Sequence, residues 1–275
     1  MQDPIAQRLQ AAQAIVTEAA ALALDHFRRR DELLIESKGP QDMVSQADRA
    51  VEVLIRERLG SAFPADAIHG EEFGRSAGDG SADGGDGYTW VIDPIDGTAN
   101  FVSGIPAWCV VLACIHRGEV VLGIIVDPNH DHTYTARKGH GAHLNGQPMR
   151  VSSATSLREG SVGVGYCNRI TPDTLFRFLV PFTEAGGMYY RNASGALMLA
   201  YVAAGNLLAY HEGHMNPWDC LAALLMIEEA GGVSWPYNTE RMFSDGDAIL
   251  AGAPAVVAEL EPLAAFTRTI EPIRH

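Results

Sequence analysis

An α/β layered fold is what this sequence predicts, and three observations carry it. Apolar residues recur at helical spacing from Ile5 to Phe27; two β-rich runs, Ala107–His116 and Val120–Val126, lie near the middle; and short strands alternate with helices through the second half. At 275 residues, 47% hydrophobic and 20% charged, the chain can fill one large domain or two intimately joined halves.

Ile5, Leu9, Ala12, Val16, Ala19, Ala23 and Phe27 mark a long first helix, and Leu33–Ile35 reads as a short strand. Lys38 falls in the loop after it. Ser45 followed by Asp48 is a helix-start signature, and Val51, Ile55 and Leu59 carry the apolar face of that helix. On this reading Asp48 complements the helix dipole. Ala67–Gly70 reads as a strand, followed by Glu71 and Glu72, which on an extended chain point opposite ways and serve different partners. The Gly-, Asp- and Ser-rich stretch from Arg75 to Gly87 reads as a mobile loop.

The apolar run Trp90–Ile92 predicts a buried strand, ended by Asp93 and Pro94 because proline donates nothing to a ladder. Asp93 and Asp96 then sit on a stiff turn with the Ile95 carbonyl between them. Gly97 and Thr98 follow, where backbone N–H groups can face an anion. Two readings fit this stretch: an Asx-rich turn, or hard oxygen ligands beside anion-binding amides, suited to Mg²⁺ and a phosphate ester.

Arg117-Gly118-Glu119 joins the two β-rich runs as a hairpin, Thr133–Ala136 continues the strand pattern, and Asn145-Gly146 is a second hairpin signal. His130, His132, His140 and His143 lie in turns without metal-ligand spacing and read as exposed loop histidines. Strands over 161–164, 188–190 and 206–211 alternate with helices over 173–182 and 196–204. Asn216 can cap the next helix, Pro217 suits its first position, Asp219 falls in its first turn, and Gly231-Gly232 ends it. Leu221–Ile227 is apolar almost all round, so this helix is buried.

A formal net charge of −14 and a pI near 5.0 argue against nucleic acid and anionic membranes as partners. Met1–Arg30 lacks a signal-peptide pattern, and Ile105–Ile115 is too short to span a bilayer. Cys109, Cys114, Cys167 and Cys220 show no CxxC spacing and read as free thiols, so a cytoplasmic location is expected.

Taken together, these pieces resemble the inositol monophosphatase family of Mg²⁺-dependent, lithium-sensitive phosphatases. The matching segments are Asp42–Asp48, Gly70-Glu71-Glu72, Trp90–Thr98 with Asn100-Phe101, Gly139–Asn145, and Trp218-Asp219 running to Glu229-Ala230-Gly231-Gly232. They occur in the family's order and span about Lys38 to Gly232.

The resemblance implies an αβαβα sugar-phosphatase fold: an α+β half over 1–150 with most metal ligands, and an α/β half over 151–275 with Asp219 and the substrate contacts. It implies that Glu71, Asp93, the Ile95 carbonyl, Asp96 and Asp219 bind two or three Mg²⁺ ions, two of them about 3.5–4 Å apart. Asp48 and Thr98 would orient the attacking water, Gly97 and Thr98 would hold phosphate, and Glu72 would stand as an acid beside the metals. Ser194, Gly195, Ala196 and Glu212, with Asp96 and Asp219, would meet the substrate. A homodimer and a small phosphorylated substrate complete the expectation. Myo-inositol monophosphate is the default; histidinol phosphate, a sugar bisphosphate and a nucleotide 3′-phosphate are the alternatives, with a non-catalytic regulatory protein as the rival class. Three departures from the family pattern, Ser194-Gly195 in reversed order, Phe73 and Asn216, fall outside the implied ligand set.

Overall fold

The computed structural model describes residues 3–32, 35–39, 42–78 and 87–273. Helix α1 (Pro4–Arg28) starts at Asp3, whose carboxylate accepts the Ile5 and Ala6 N–H groups. A hairpin of β1 (Ile35–Gly39) and β2 (Asp42–Ser45) leads into α2 (Gln46–Ala62), where Ser45 and Asp48 close the expected capping box. Lys38 thus lies on a strand. Leu33 and Leu34, expected to begin that strand, lie outside the described residues.

Eight strands then form one sheet: β3 (Ala67–Gly70), β4 (Gly74–Ser76), β5 (Tyr88–Asp96), β6 (Cys109–His116), β7 (Glu119–Asp127), β8 (His132–Arg137), β9 (Ala142–Leu144) and β10 (Gln147–Pro148). A short helix, α3 (Thr98–Ser103), follows β5. The strand order is β10-β9-β8-β7-β6-β5-β3-β4, with β3 and β5 parallel. Strand β6 explains its own composition. Val110, Leu112 and Cys114 enter a core with Val16, Val51 and Ile55 of α1 and α2, while Cys109, Val111 and Ala113 enter a second core on the other face. A strand covered on both faces reads as a continuous apolar run.

A second sheet, with helices between its strands, follows in the order β11 (Ser161–Val164), α4 (Pro172–Glu184), β12 (Met188–Tyr190), α5 (Gly195–Ala203), β13 (Ala209–Met215), α6 (Pro217–Glu229), β14 (Val233–Ser234), α7 (Thr239–Asp245), β15 (Asp247–Gly252) and α8 (Pro254–Ala264). Its order is β12-β11-β13-β15-β14. Leu197 of α5 and Leu221 and Leu224 of α6 share one core with Val111 and Ile125 of the first sheet and Tyr210 and Ile249 of the second. Phe178 and Phe182 of α4 and Val256 and Leu260 of α8 cover the outer face. The layers are therefore α, β, α, β, α, as expected. Helix α6 lies hard against β7: a Cβ on Gly123 would stand 2.4 Å from the Ala222 carbonyl oxygen.

Five expectations need correction. Of the four histidines read as exposed loop residues, His132 and His143 lie half-buried on β8 and β9. Strand β5 does not end at Pro94; pairing with β6 is interrupted there and resumes at Asp96 opposite Cys109. Strand β13 begins at Ala209 and carries Glu212, so residues 206–208 belong to the turn before it. Arg75 and Ser76 pair with β3 instead of joining a loop, and residues 79–86 of that stretch lie outside the described residues. The chain also continues past Gly232 into β15 and α8, which the sequence reading did not reach. All four cysteines are free, and no helix among the described residues is long and apolar enough to cross a membrane.

Candidate active site

Strand β5 aims the central carboxylates by its pleat. Trp90 and Ile92 enter the core beneath α1 and α2, whereas Val91 faces the middle layer. Asp93, two residues beyond Val91, shares that second direction. The irregularity at Pro94 returns Asp96 to the same side, where it meets the start of α5. Its Oδ2 accepts the Ser194 hydroxyl and, at 2.8 Å, the Ala196 N–H. Asp219 arrives from α6, fixed by its capping box: Asn216 donates its backbone N–H at 3.1 Å and its side-chain amide at 3.2 Å to Oδ2.

Carboxylate oxygens of Asp93, Asp96 and Asp219 all lie within 4.8 Å of one another. Burial, then the Glu71, Asp96 and Asp219 charges, push Asp93 well above the usual carboxylate range. Burial also raises Asp96, against the donors at α5, and lifts Asp219 to about 7, with Asp96 the next cause. Such a cluster of hard, mutually repelling oxygens fits a hard cation, whose charge would relieve that repulsion. Among the described residues it is the group of this kind, and no histidine belongs to it.

Parallel pairing of β3 with β5 brings Gly70 opposite Ile92, and the Glu71 N–H bonds the Ile92 carbonyl at 3.2 Å. Glu71 and Glu72 therefore follow the carboxyl end of β3 beside the carboxyl end of β5. Helix α2 supplies Asp48 from the other side. Its Oδ2 accepts the Ser45 N–H at 2.9 Å and the Ser45 hydroxyl at 2.6 Å, leaving Oδ1 to the Thr98 hydroxyl at 3.1 Å. Burial raises the Asp48 pKa, opposed by those donors. The Thr98 hydroxyl also stands 3.1 Å from the Ile95 carbonyl oxygen. Gly97, with φ +98°, turns the chain from β5 into α3.

Beyond Asp96 and Asp219 opens a cavity of about 150 Å³, lined also by Tyr166, Arg191, Ala193, Gly195 and Glu212. Glu212 is held by the Tyr210 hydroxyl, and burial raises its pKa to about 8. Ser194 is not part of this lining. It is fully buried and turned to Asp96, so the reversed Ser194-Gly195 order touches an implied metal ligand, contrary to expectation. Ala196 faces Asp96 through its N–H.

The sequence pattern of the Inositol monophosphatase family matches residues 5–270. The chain belongs to this family. Among similar proteins, Nus factor SuhB of Pseudomonas aeruginosa is 37% identical over 85% of this chain and 87% of its own length. An inositol-1-monophosphatase of Rhizobium meliloti is also 37% identical, over 83% and 84%. The crystal structure of the extragenic suppressor protein suhB from Bartonella henselae superposes with a TM-score of 0.86 at 30% identity, covering 93% of this chain and 97% of that one.

One residue beside this site is not among those the sequence singles out. Glu52, fully buried on α2, accepts the Glu72 N–H at 2.8 Å and the Phe73 N–H at 3.3 Å. Its signal was its spacing, four residues after Asp48 and so on the same helix face. The apolar stripe of Val51, Ile55 and Leu59 masks that signal.

Proposed function

We propose that the protein is a Mg²⁺-dependent phosphatase of a small phosphate monoester, with myo-inositol monophosphate as its default substrate. The observation that carries this reading is the Asp93–Asp96–Asp219 cluster, within 4.8 Å, standing beside the Asp48–Thr98 pair. Glu71, Asp93, the Ile95 carbonyl, Asp96 and Asp219 would hold two or three Mg²⁺ ions. When bound, these supply Lewis-acid neutralisation of the phosphate and of the departing alkoxide.

The chain's own groups do the rest. Ser45 fixes the Asp48 carboxylate, and Asp48 fixes the Thr98 hydroxyl, so the pair can orient a water molecule and draw its proton at Asp48 Oδ1. The amides of Gly97 and Thr98, at the start of α3, would meet the phosphate, and Glu72 would stand as the further acid beside the metals. Glu212 and Gly195 line the cavity where the alcohol would sit, together with Asp96 and Asp219. The 1–150 and 151–275 halves would thus meet at the metals. Exposed Met188, Tyr189 and Tyr190 on the edge strand β12 support a homodimer. Four free cysteines support a cytoplasmic location.

A phosphate-release screen with Mg²⁺ tests this reading, using myo-inositol monophosphate, histidinol phosphate, a sugar bisphosphate and a nucleotide 3′-phosphate. Turnover of at least one, lost on chelation and inhibited by LiCl at roughly tens of millimolar, is the expected result. Failure on all four would favour a non-catalytic regulatory role.

A further inference from the structure

Helix α2 presents two buried carboxylates to the site, one turn apart. Asp48 holds Thr98. Glu52 reaches instead to the turn that carries Glu71 and Glu72, and its contacts form a clamp. Oε2 accepts the Glu72 N–H and Oε1 the Phe73 N–H, while Arg56 donates its Nε to Oε1 at 2.6 Å. The same guanidinium continues to the Gly74 carbonyl oxygen and to the Ser76 hydroxyl, at 3.1 Å. One ion pair on α2 therefore grips the backbone of residues 72 to 74 and the Ser76 side chain.

The clamp also accounts for Gly70. A Cβ there would lie 2.0 Å from Glu52 Oε1 and 2.4 Å from its carboxyl carbon, so the carboxylate occupies the space a side chain would need. Glycine precedes the glutamate pair because Glu52 is packed against it.

We propose that Glu52, oriented by Arg56, is a positioning residue for the metal site: it sets where the Glu71 carboxylate stands and thereby how tightly the site holds its cations. The proposal rests on the metal-site reading above. Groups that hydrogen-bond around ligands commonly change metal affinity by about 10–100-fold when lost. Glu52 acts here on the backbone N–H groups of the two residues that follow Glu71.

The test titrates Mn²⁺ into chelator-treated full-length protein and follows the loss of the free-ion EPR signal. Glu52→Gln, which sets an amide against two N–H donors, should raise the Mn²⁺ Kd about 10–100-fold, with KM for substrate unchanged at saturating metal. Gly70→Ala keeps the Glu52 charge but displaces the carboxylate, and should shift Kd the same way. Asp66→Asn, a buried carboxylate away from the site, should lower Tm and leave Kd unchanged. A folded Glu52→Gln with wild-type Kd overturns the proposal, as does an equal Kd rise in Asp66→Asn. If Glu52→Gln does not fold, Arg56→Met decides: a raised Kd supports the clamp and an unchanged one overturns it. Wild-type protein that takes up no Mn²⁺ removes the metal-site reading itself.

Discussion

Asp66 and Asp93 are both nearly inaccessible, 4% and 1% exposed, yet they live in opposite surroundings. Asp66 meets the Arg8 guanidinium through two N–H bonds of 2.9 and 2.7 Å and also accepts the Trp90 indole N–H at 2.9 Å. Arg8 is in turn packed over the rings of Phe63 and Tyr88. Asp93 accepts the Ile95 N–H at 3.0 Å, and its charged neighbours are the carboxylates of Glu71, Asp96, Asp219 and Asp48. The first charge is completed within the chain and ties α1 to the first sheet. The second stands among like charges, and on the proposed function it would be completed by a cation from outside. Burial of a charge alone does not mark function; burial against like charges does.

The largest expected effect sharpens the functional side of this contrast. Thr98→Ala removes the hydroxyl beside Asp48 and should lower kcat by about 10²-fold or more with KM little changed. Steady-state kinetics at saturating Mg²⁺ checks it, and a pure KM effect would move Thr98 from the chemistry to ground-state binding. Next comes the structural side. Asp66→Asn leaves Arg8 buried without its counter-charge and should cost about 3–5 kcal/mol of unfolding free energy, measured by urea denaturation, with kcat per folded molecule intact.

A smaller effect is expected at Glu212. Held by Tyr210 at the wall of the alcohol cavity, it should matter only for substrates with a remote hydroxyl. Glu212→Gln should raise KM for a polyol phosphate several-fold, on the order of 1 kcal/mol, the net worth of one hydrogen bond, and leave an aryl phosphate unaffected. Equal damage to both would place Glu212 in the metal site or the fold.

The last effect is a pH slope, absent near neutral pH. His211 is buried against Phe178, with Nδ1 2.8 Å from the Ile249 carbonyl oxygen, and burial depresses its pKa to about 4 from 6.5. Between those values the unfolded chain binds a proton that the folded chain refuses. Its contribution to stability is therefore full above about pH 6.5 and is lost as pH falls toward 4, by up to about 1.4 kcal/mol per pH unit. The difference in unfolding free energy between wild type and His211→Gln across this window isolates it; parallel curves would remove His211 as the cause.

The fold was legible wherever local pattern and tertiary packing agree. The capping boxes at Ser45 and Asn216 and the apolar run of α6 gave their elements directly. Pro94 misled because the missing N–H interrupts pairing without ending the strand. The clustering of Asp93, Asp96 and Asp219 was legible, since each lies in a motif where sequence adjacency fixes local geometry. What sequence could not give was the long-range second party to each contact. Ser194 turning to Asp96 across 98 residues and Glu52 gripping Glu72 across 20 depend on layers brought together only in the fold.

The comparison of Asp66 with Asp93 is tested most directly by thermal unfolding of wild type and Asp93→Asn, each with and without saturating Mg²⁺. Removing one of several repelling charges should leave metal-free Asp93→Asn at least as stable as metal-free wild type. The Mg²⁺-induced rise in Tm, which follows the binding free energy, should be large for wild type and absent or much reduced in the variant. A metal-free Asp93→Asn destabilised as strongly as Asp66→Asn, with its Mg²⁺ response intact, would contradict the account.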